Sequence, residues 1–197
     1  MNTSATTVQN APDAPRSMAR LAGFFYLLTF ATGSLALLTG NRVSSASGMI
    51  AGACYVVVTF LFYHLFKPVN RKLSLLAACI SLVGCAIGPL TLFVHAFSRI
   101  NPLAIFGFYC LLIGYLILRS KFLPRALGWL MVLAGLGWLT FLSPALARQL
   151  SPFNFLPGLL GEGALTLWLL AAGVNETEWR KQAAGIVAEE TRGRTKT

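Results

Sequence analysis

Apolar residues in this chain fall into six long runs that charged residues separate. Asp, Glu, Lys and Arg are absent from residues 21–41, 43–66, 73–98, 100–118 and 126–147. A sixth run, residues 149–175, is interrupted only by Glu162. A helix rises about 1.5 Å per residue and crosses a hydrocarbon core of about 30 Å in about 20 residues. Each run is therefore long enough, or nearly so, to span a bilayer.

The runs predict helices rather than strands. Inside a bilayer the backbone must satisfy its own hydrogen bonds, which leaves helices or a closed barrel. Barrel strands alternate polar and apolar residues over about ten positions, and residues 73–83 show no such alternation. We predict an all-α, polytopic transmembrane bundle of six helices. Its spans lie approximately at residues 18–39, 46–66, 73–97, 102–119, 125–143 and 156–174.

Lysine and arginine predict the orientation of this bundle. With the N-terminus in the cytoplasm, thirteen of the sixteen basic residues fall on the cytoplasmic side, and Arg42, Arg99 and Arg148 fall on the other. Short cytoplasmic loops carry the excess of Lys and Arg, so both termini are predicted to be cytoplasmic. Residues 1–15 then form a disordered N-terminus, residues 16–175 the transmembrane domain and residues 176–197 a charged cytoplasmic tail.

Composition narrows the class of protein and its partners. Hydrophobic residues make up 56% of the chain and charged residues 11%, against roughly a quarter charged in ordinary globular domains. The net charge of +10 is distributed among loops instead of forming one patch, which favours membrane lipids over nucleic acid as partners. The cysteines lie inside apolar runs without zinc or redox spacing, so neither a metal nor a cofactor is predicted in the leading interpretation.

Small residues predict where helices approach one another. Gly48 and Gly52 lie one turn apart on the second helix, and Gly84 and Gly88 do so on the third. Such residues let backbones pack closely in lipid, where burial of apolar area does not drive association. We predict packing within one bundle, with a homo-oligomer or a partner membrane protein as the alternative. Pro89 should kink the third helix, which could shape a cavity or a hinge.

Ionisable side chains inside a membrane are costly and are functional hypotheses by default. Glu162 lies in the outer half of the sixth span, where His95, Arg99 and Arg148 are also expected. These four residues form the candidate site for a proton, a small polar solute or a lipid headgroup. Two structural explanations stay open for Glu162: a carboxylate favoured by the helix dipole, or a protonated acid bonded to a neighbouring helix.

Two histidines raise haem ligation as the alternative function. His64 lies at the cytoplasmic end of its span and His95 at the outer end of its own, on the order of 20 Å apart along the membrane normal. One iron could not take both, so a haem held by either needs a different second ligand. Hydrolase elbows, metalloprotease motifs and phosphate-binding loops are absent from the sequence. The leading hypothesis is a non-enzymatic binding protein.

Four segments carry a resemblance to a known family. They are residues 19–29, 68–78, 114–129 and 161–170, of which the stretch from Tyr115 to Arg125 is the most specific. Across residues 16–180 the chain resembles the bacterial membrane family called domain of unknown function 4386, although it is shorter than its relatives between the third and fourth helices. The resemblance implies a bacterial inner membrane and a multi-pass fold. It implies no activity and no catalytic residue.

Overall fold

The computed structural model describes residues 15–38, 41–91 and 101–194. Within these ranges the chain forms eight α-helices and no strand. They are α1 (Pro15–Leu38), α2 (Asn41–Phe66), α3 (Arg71–Thr91), α4 (Pro102–Arg119), α5 (Arg125–Leu139), α6 (Pro144–Leu150), α7 (Leu156–Ala171) and α8 (Glu176–Arg194). Single 3-10 turns, Thr140–Leu142 and Phe153–Phe155, lie on either side of α6. The fold is all-helical, as predicted.

Polar residues and prolines at the helix ends explain several of these boundaries. The Asn101 side chain accepts a hydrogen bond from Leu103 N at 3.0 Å, and Pro102 occupies the first turn of α4. Ser143 caps α6 in the same way, with Pro144 behind it. Prolines suit a first turn because the amide they lack has no partner there. The chain leaves α7 through Gly173, whose φ of 68° is the left-handed conformation that glycine adopts most readily.

Six helices of the described chain, α1 to α5 and α7, pack as a closed ring. Each contacts the next in chain order, and α7 returns to α1. The interior is filled by large buried side chains such as Tyr26, Phe62 and Met131. Outward-facing apolar side chains are instead exposed, among them Trp129 at 65% and Leu167 at 64%. A surface of this kind is typical of a protein whose solvent is lipid.

Five helices in the described ranges are long and apolar enough to cross a membrane. They are Pro15–Ala36, Ser44–Phe66, Pro102–Arg119, Arg125–Leu142 and Phe153–Ala171. The third predicted span, residues 73–97, begins in α3 and runs into residues 92–100, which are outside the described part of the chain. The count of six spans therefore stays a prediction. Of the predicted N-terminus, residues 1–14 are likewise outside the described residues.

One end of the ring gathers most of the basic loops and carries α8. The indole of Trp179 donates to the Leu65 carbonyl at 2.9 Å, and the Asn175 amide donates to the Phe122 carbonyl at 3.1 Å. These bonds attach α8 to the end of α2 and to the α4–α5 loop. The first part of the predicted tail is thus a helix that is docked on the ring. On its exposed face, Lys181 lies 2.7 Å from Glu178 and lowers the pKa of that carboxyl group.

Glycines bring α4 and α5 closer together than side chains would allow. A Cβ added at Gly114 would lie 2.9 Å from the Gly128 carbonyl oxygen, and one added at Gly135 would lie 2.8 Å from that of Gly107. Real Cβ atoms almost never approach backbone oxygen below 3.0 Å. Because α4 and α5 are antiparallel, the two pairs of glycines face each other along the interface and hold it tight.

Candidate functional site

Glu162 lies inside the ring, in the N-terminal half of α7, with 6% of its surface exposed. Two glycines of the same helix place it there. Gly161 packs directly on the Leu130 carbonyl of α5, and Gly158 packs on the Trp138 ring. A Cβ at either position would collide with α5. The absence of side chains on this face of α7 lets the Glu162 carboxyl group reach the interior.

Three helices supply hydrogen-bond donors to this carboxyl group. Tyr26 Oη of α1 donates to Oε2 at 2.7 Å, while Trp138 Nε1 of α5 and Cys110 Sγ of α4 donate to Oε1, the thiol from 3.4 Å. A carboxylate offers about four acceptor positions, so these three donors occupy most of them. A buried polar group without such partners would be costly. We name these four residues and Tyr55, whose hydroxyl neighbours that of Tyr26, the Glu162 cluster.

Tyr55 of α2 extends the cluster away from Glu162. Its hydroxyl lies 3.3 Å from the Tyr26 hydroxyl, and either oxygen can donate. The rings of Tyr55 and Tyr109 meet edge to face, with centroids 5.8 Å apart. The Tyr109 hydroxyl is fully buried and has no hydrogen-bond partner in the described part of the chain. Glu162 therefore ends a continuous hydrogen-bonded line that runs through Tyr26 to Tyr55.

Tyr55 also forms part of the wall of a cavity of about 590 Å³ that lies chiefly between α2, α3 and α4. This cavity is near the helix ends that point away from α8, because its walls include the start of α2, the end of α3 and the start of α4. Residues of its wall include Gly48, Gly52, Cys85, Pro89 and Phe106. Glu162 thus connects to the cavity through two phenol groups rather than by lining it.

The glycines predicted to pack helices occupy different surroundings. An added Cβ at Gly48 or Gly52 would meet no heavy atom within 4 Å among the described residues, because both border the cavity. An added Cβ at Gly84 would lie 3.0 Å from the Phe106 ring of α4. Gly88 and Pro89 lie within α3, and Pro89 lines the cavity. The predicted role of these five residues in helix packing stays a prediction.

Of the other predicted site residues, Arg148 does not join the described cluster. Arg148 is exposed on α6, and the donors to Glu162 come from Tyr26, Cys110 and Trp138 instead. His95 and Arg99 lie outside the described residues. A site that also includes these two residues therefore stays a prediction.

His64 is exposed on α2, where its Nδ1 is bonded to the Phe60 carbonyl at 2.9 Å. The described residues contain no group of three His, Cys, Asp or Glu side chains that could hold a metal ion. The haem hypothesis stays a prediction, which the visible absorption spectrum of the purified protein tests.

Sequence reasoning identified Glu162 and missed its partners. The sequence patterns predict no polar role for Cys110, which lies inside an apolar run, or for Tyr26, Tyr55 and Trp138. The sequence does contain a signal for these partners, because tyrosine and tryptophan in membrane spans usually lie at the membrane–water interfaces. Tyr26 and Tyr55 instead lie well inside their runs. A phenol at that depth needs a polar partner, and Glu162 is the acid in these runs.

Comparison with known proteins places the chain in a family. The family described as "Domain of unknown function (DUF4386)" matches residues 39–100 and 90–173. An "Uncharacterized protein" of Archaeoglobus fulgidus is 30% identical over 129 residues, which cover 60% of this chain and 76% of that relative. No solved structure matches the chain. The resemblance seen in the sequence is confirmed, and the chain belongs to the DUF4386 family, whose function is unknown.

Proposed function

We propose that this protein is a non-enzymatic, multi-pass protein of the bacterial inner membrane that binds a small, mostly apolar molecule in the cavity between α2, α3 and α4. The proposal includes six spans, both termini in the cytoplasm and a cavity in the outer half of the membrane. The apolar outer surface and the basic end that carries α8 support the membrane placement.

The cavity is the observation that carries the proposal. Its volume of about 590 Å³ falls within the range of about 300–1,000 Å³ typical of small-molecule sites. Side chains do not fill it because its α2 wall presents Gly48 and Gly52. Aliphatic and aromatic residues dominate the wall, and Thr29, Ser45 and Tyr55 are among its few residues with a polar group. A lipid or a lipophilic solute with one polar group matches this chemistry.

Filling the cavity from its own wall tests the proposal. We expect the fluorescent probe N-phenyl-1-naphthylamine to bind the protein in phosphatidylcholine nanodiscs above the level of empty discs. The substitution Gly52→Leu should abolish that signal, since its side chain would project into the cavity. Gly163→Leu is the matched control, because Gly163 also has open space around it but lies on α7, outside the cavity wall. Equal binding by both variants would overturn the proposal.

The proposed orientation has a separate test. A fluorescent protein fused after residue 197 should fluoresce in bacteria, and alkaline phosphatase fused there should be inactive, because the first requires the cytoplasm and the second the periplasm. The same result is expected for fusions before residue 1. Phosphatase activity at either end would contradict the orientation and leave the cavity proposal untouched.

A further inference from the structure

We infer that the cavity takes a lipophilic amine and that the bound amine exchanges a proton with Glu162 through Tyr26 and Tyr55. This inference rests on the proposed function, because it names the class of ligand that the cavity binds. Its geometric basis is the line of hydrogen bonds from Glu162 Oε2 to the Tyr26 hydroxyl at 2.7 Å and on to the Tyr55 hydroxyl at 3.3 Å.

Each hydroxyl in this line has one proton to donate, so the line has two settings. With Glu162 ionised, Tyr26 donates to the carboxylate and Tyr55 donates to Tyr26. The free lone pair of Tyr55 can then accept a hydrogen bond from a group in the cavity. With Glu162 protonated, every bond reverses, and Tyr55 donates into the cavity. The charge on Glu162 therefore decides whether the cavity presents an acceptor or a donor.

The wall around Tyr55 favours a cation over an anion. Tyr55 and Phe106 lie side by side with ring centroids 4.7 Å apart, and both line the cavity. Aromatic faces attract ammonium groups. No Asp, Glu, Lys or Arg belongs to the described wall, so among the described residues an anionic ligand would meet no opposite charge there. An ammonium group would meet two aromatic rings and, beyond Tyr26, an acid.

The proton step balances without a further reactant. The N–H bond of the ammonium group breaks, and nitrogen keeps the electron pair while Tyr55 Oη takes the proton. Tyr55 passes its own proton to Tyr26 Oη, and Tyr26 passes its proton to Glu162 Oε2. The products are a neutral amine and a neutral carboxylic acid. Reversal of the three transfers restores the ammonium group and the Glu162 carboxylate.

The other described groups around Glu162 do not compete for this proton at neutral pH. In the described chain, the titratable neighbours of Glu162 are Tyr26 of α1, Tyr55 of α2 and the pair Tyr109 and Cys110 of α4, while α5 contributes Trp138, which does not titrate. Free phenols and thiols lose their protons at about pH 10 and 8.5. In the described chain, Glu162 is thus the acid of this cluster.

Displacement of the fluorescent probe by an amine and an alcohol with alkyl chains of equal length tests the ligand class. Dodecylamine and dodecanol should both displace N-phenyl-1-naphthylamine from the wild-type protein in nanodiscs at pH 7. The amine should do so at a concentration lower by about tenfold. Glu162→Gln, Tyr26→Phe and Tyr55→Phe should each shrink that preference. Tyr109→Phe should preserve it, because that buried hydroxyl has no partner in the described structure.

Infrared difference spectra test the proton transfer directly. Addition of dodecylamine should produce the carbonyl stretch of a protonated carboxyl group, and Glu162→Gln should remove that band. Dodecyltrimethylammonium, which has the charge but no N–H, should bind without producing it. If the probe binds and Gly52→Leu blocks it, yet amine and alcohol displace it equally or no band appears, this inference is wrong and the proposed function stands. Absence of probe binding would instead remove the proposed function itself.

Discussion

Glycines have opposite packing roles on the two sides of the helix ring. Where α4, α5 and α7 meet, Gly114, Gly128 and Gly161 each touch backbone of a neighbouring helix, so that no Cβ would fit. On the other side, Gly48 and Gly52 of α2 have open space over them in the described structure. The first side is a tight wall and the second borders a cavity. A pair of glycines on a helix therefore predicts that the space of a side chain is left free beside that helix. The positions of the neighbouring helices determine whether backbone or a ligand fills that space.

The Glu162 cluster lies where the two sides join. Tight packing of α7 on α5 brings Glu162 and Trp138 together, and the open side begins at Tyr55. A rigid wall holds the acid in place, since its neighbours have no room to move. The cavity, by contrast, can bind and release a ligand. If this division is correct, substitutions on the tight side should lower stability, and those on the open side should affect mainly binding.

Gly161→Ala should have the largest effect, a loss of about 3 kcal/mol in the free energy of unfolding. The added methyl group would collide with the Leu130 carbonyl, which is backbone and cannot rotate away. Unfolding in mixed micelles titrated with sodium dodecyl sulfate measures the change. Gly163→Ala, two residues further along α7 in open space, is the control and should cost nothing. Similar stability of the two variants would contradict a tight α5–α7 wall.

Trp138→Phe should cost about 2 kcal/mol, because the Glu162 carboxyl group loses a buried donor. The same unfolding titration measures it. Trp129→Phe is the matched control on α5. Because the Trp129 indole is 65% exposed, its replacement should lower the free energy of unfolding only slightly. In a Glu162→Gln background, the cost of Trp138→Phe should shrink. An undiminished cost there would show that ring packing, rather than the hydrogen bond, accounts for the loss.

Gly84→Ala should cost about 1 kcal/mol. The new methyl group would press on the tip of the Phe106 ring at 3.0 Å, but this ring borders the cavity and can shift into it. The expected signature is a modest loss of stability together with weaker binding of the naphthylamine probe. A stability loss as large as that of Gly161→Ala would mean that the α3–α4 interface is as unyielding as the tight side.

Gly48→Ala should have the smallest effect, a gain of about 0.5 kcal/mol, because alanine reduces the freedom of the unfolded chain where the helix accepts it. No described heavy atom lies within 4 Å of the added methyl group. Thermal unfolding in detergent, compared with wild type under the same conditions, checks the sign. A clear loss would indicate that another helix, or a second copy of the chain, packs against this face.

Much of the fold could be predicted because lipid imposes strict rules on sequence. In the described part of the chain, most residues of the charge-free runs are helical, and α4 covers residues 102–119, which are the bounds of one predicted span. The docking of α8 could not be predicted from the same rules. It depends on the Trp179 indole meeting the Leu65 carbonyl, a contact between residues far apart in the chain. The short α6 was also not predicted, since a seven-residue helix leaves little periodic signal.

The sequence by itself determined that this protein is helical, that lipid surrounds much of it and that Glu162 is its most unusual residue, because charge is so costly in a bilayer that its few occurrences stand out. Tertiary structure alone decided which groups satisfy that acid. The basic residues Arg99 and Arg148 were expected near it, whereas the donors in the described chain are a phenol, an indole and a thiol from three helices. Their meeting depends on how the helices are arranged around the ring, and hydrophobic patterning does not record that arrangement, because lipid-facing and core-facing positions are equally apolar.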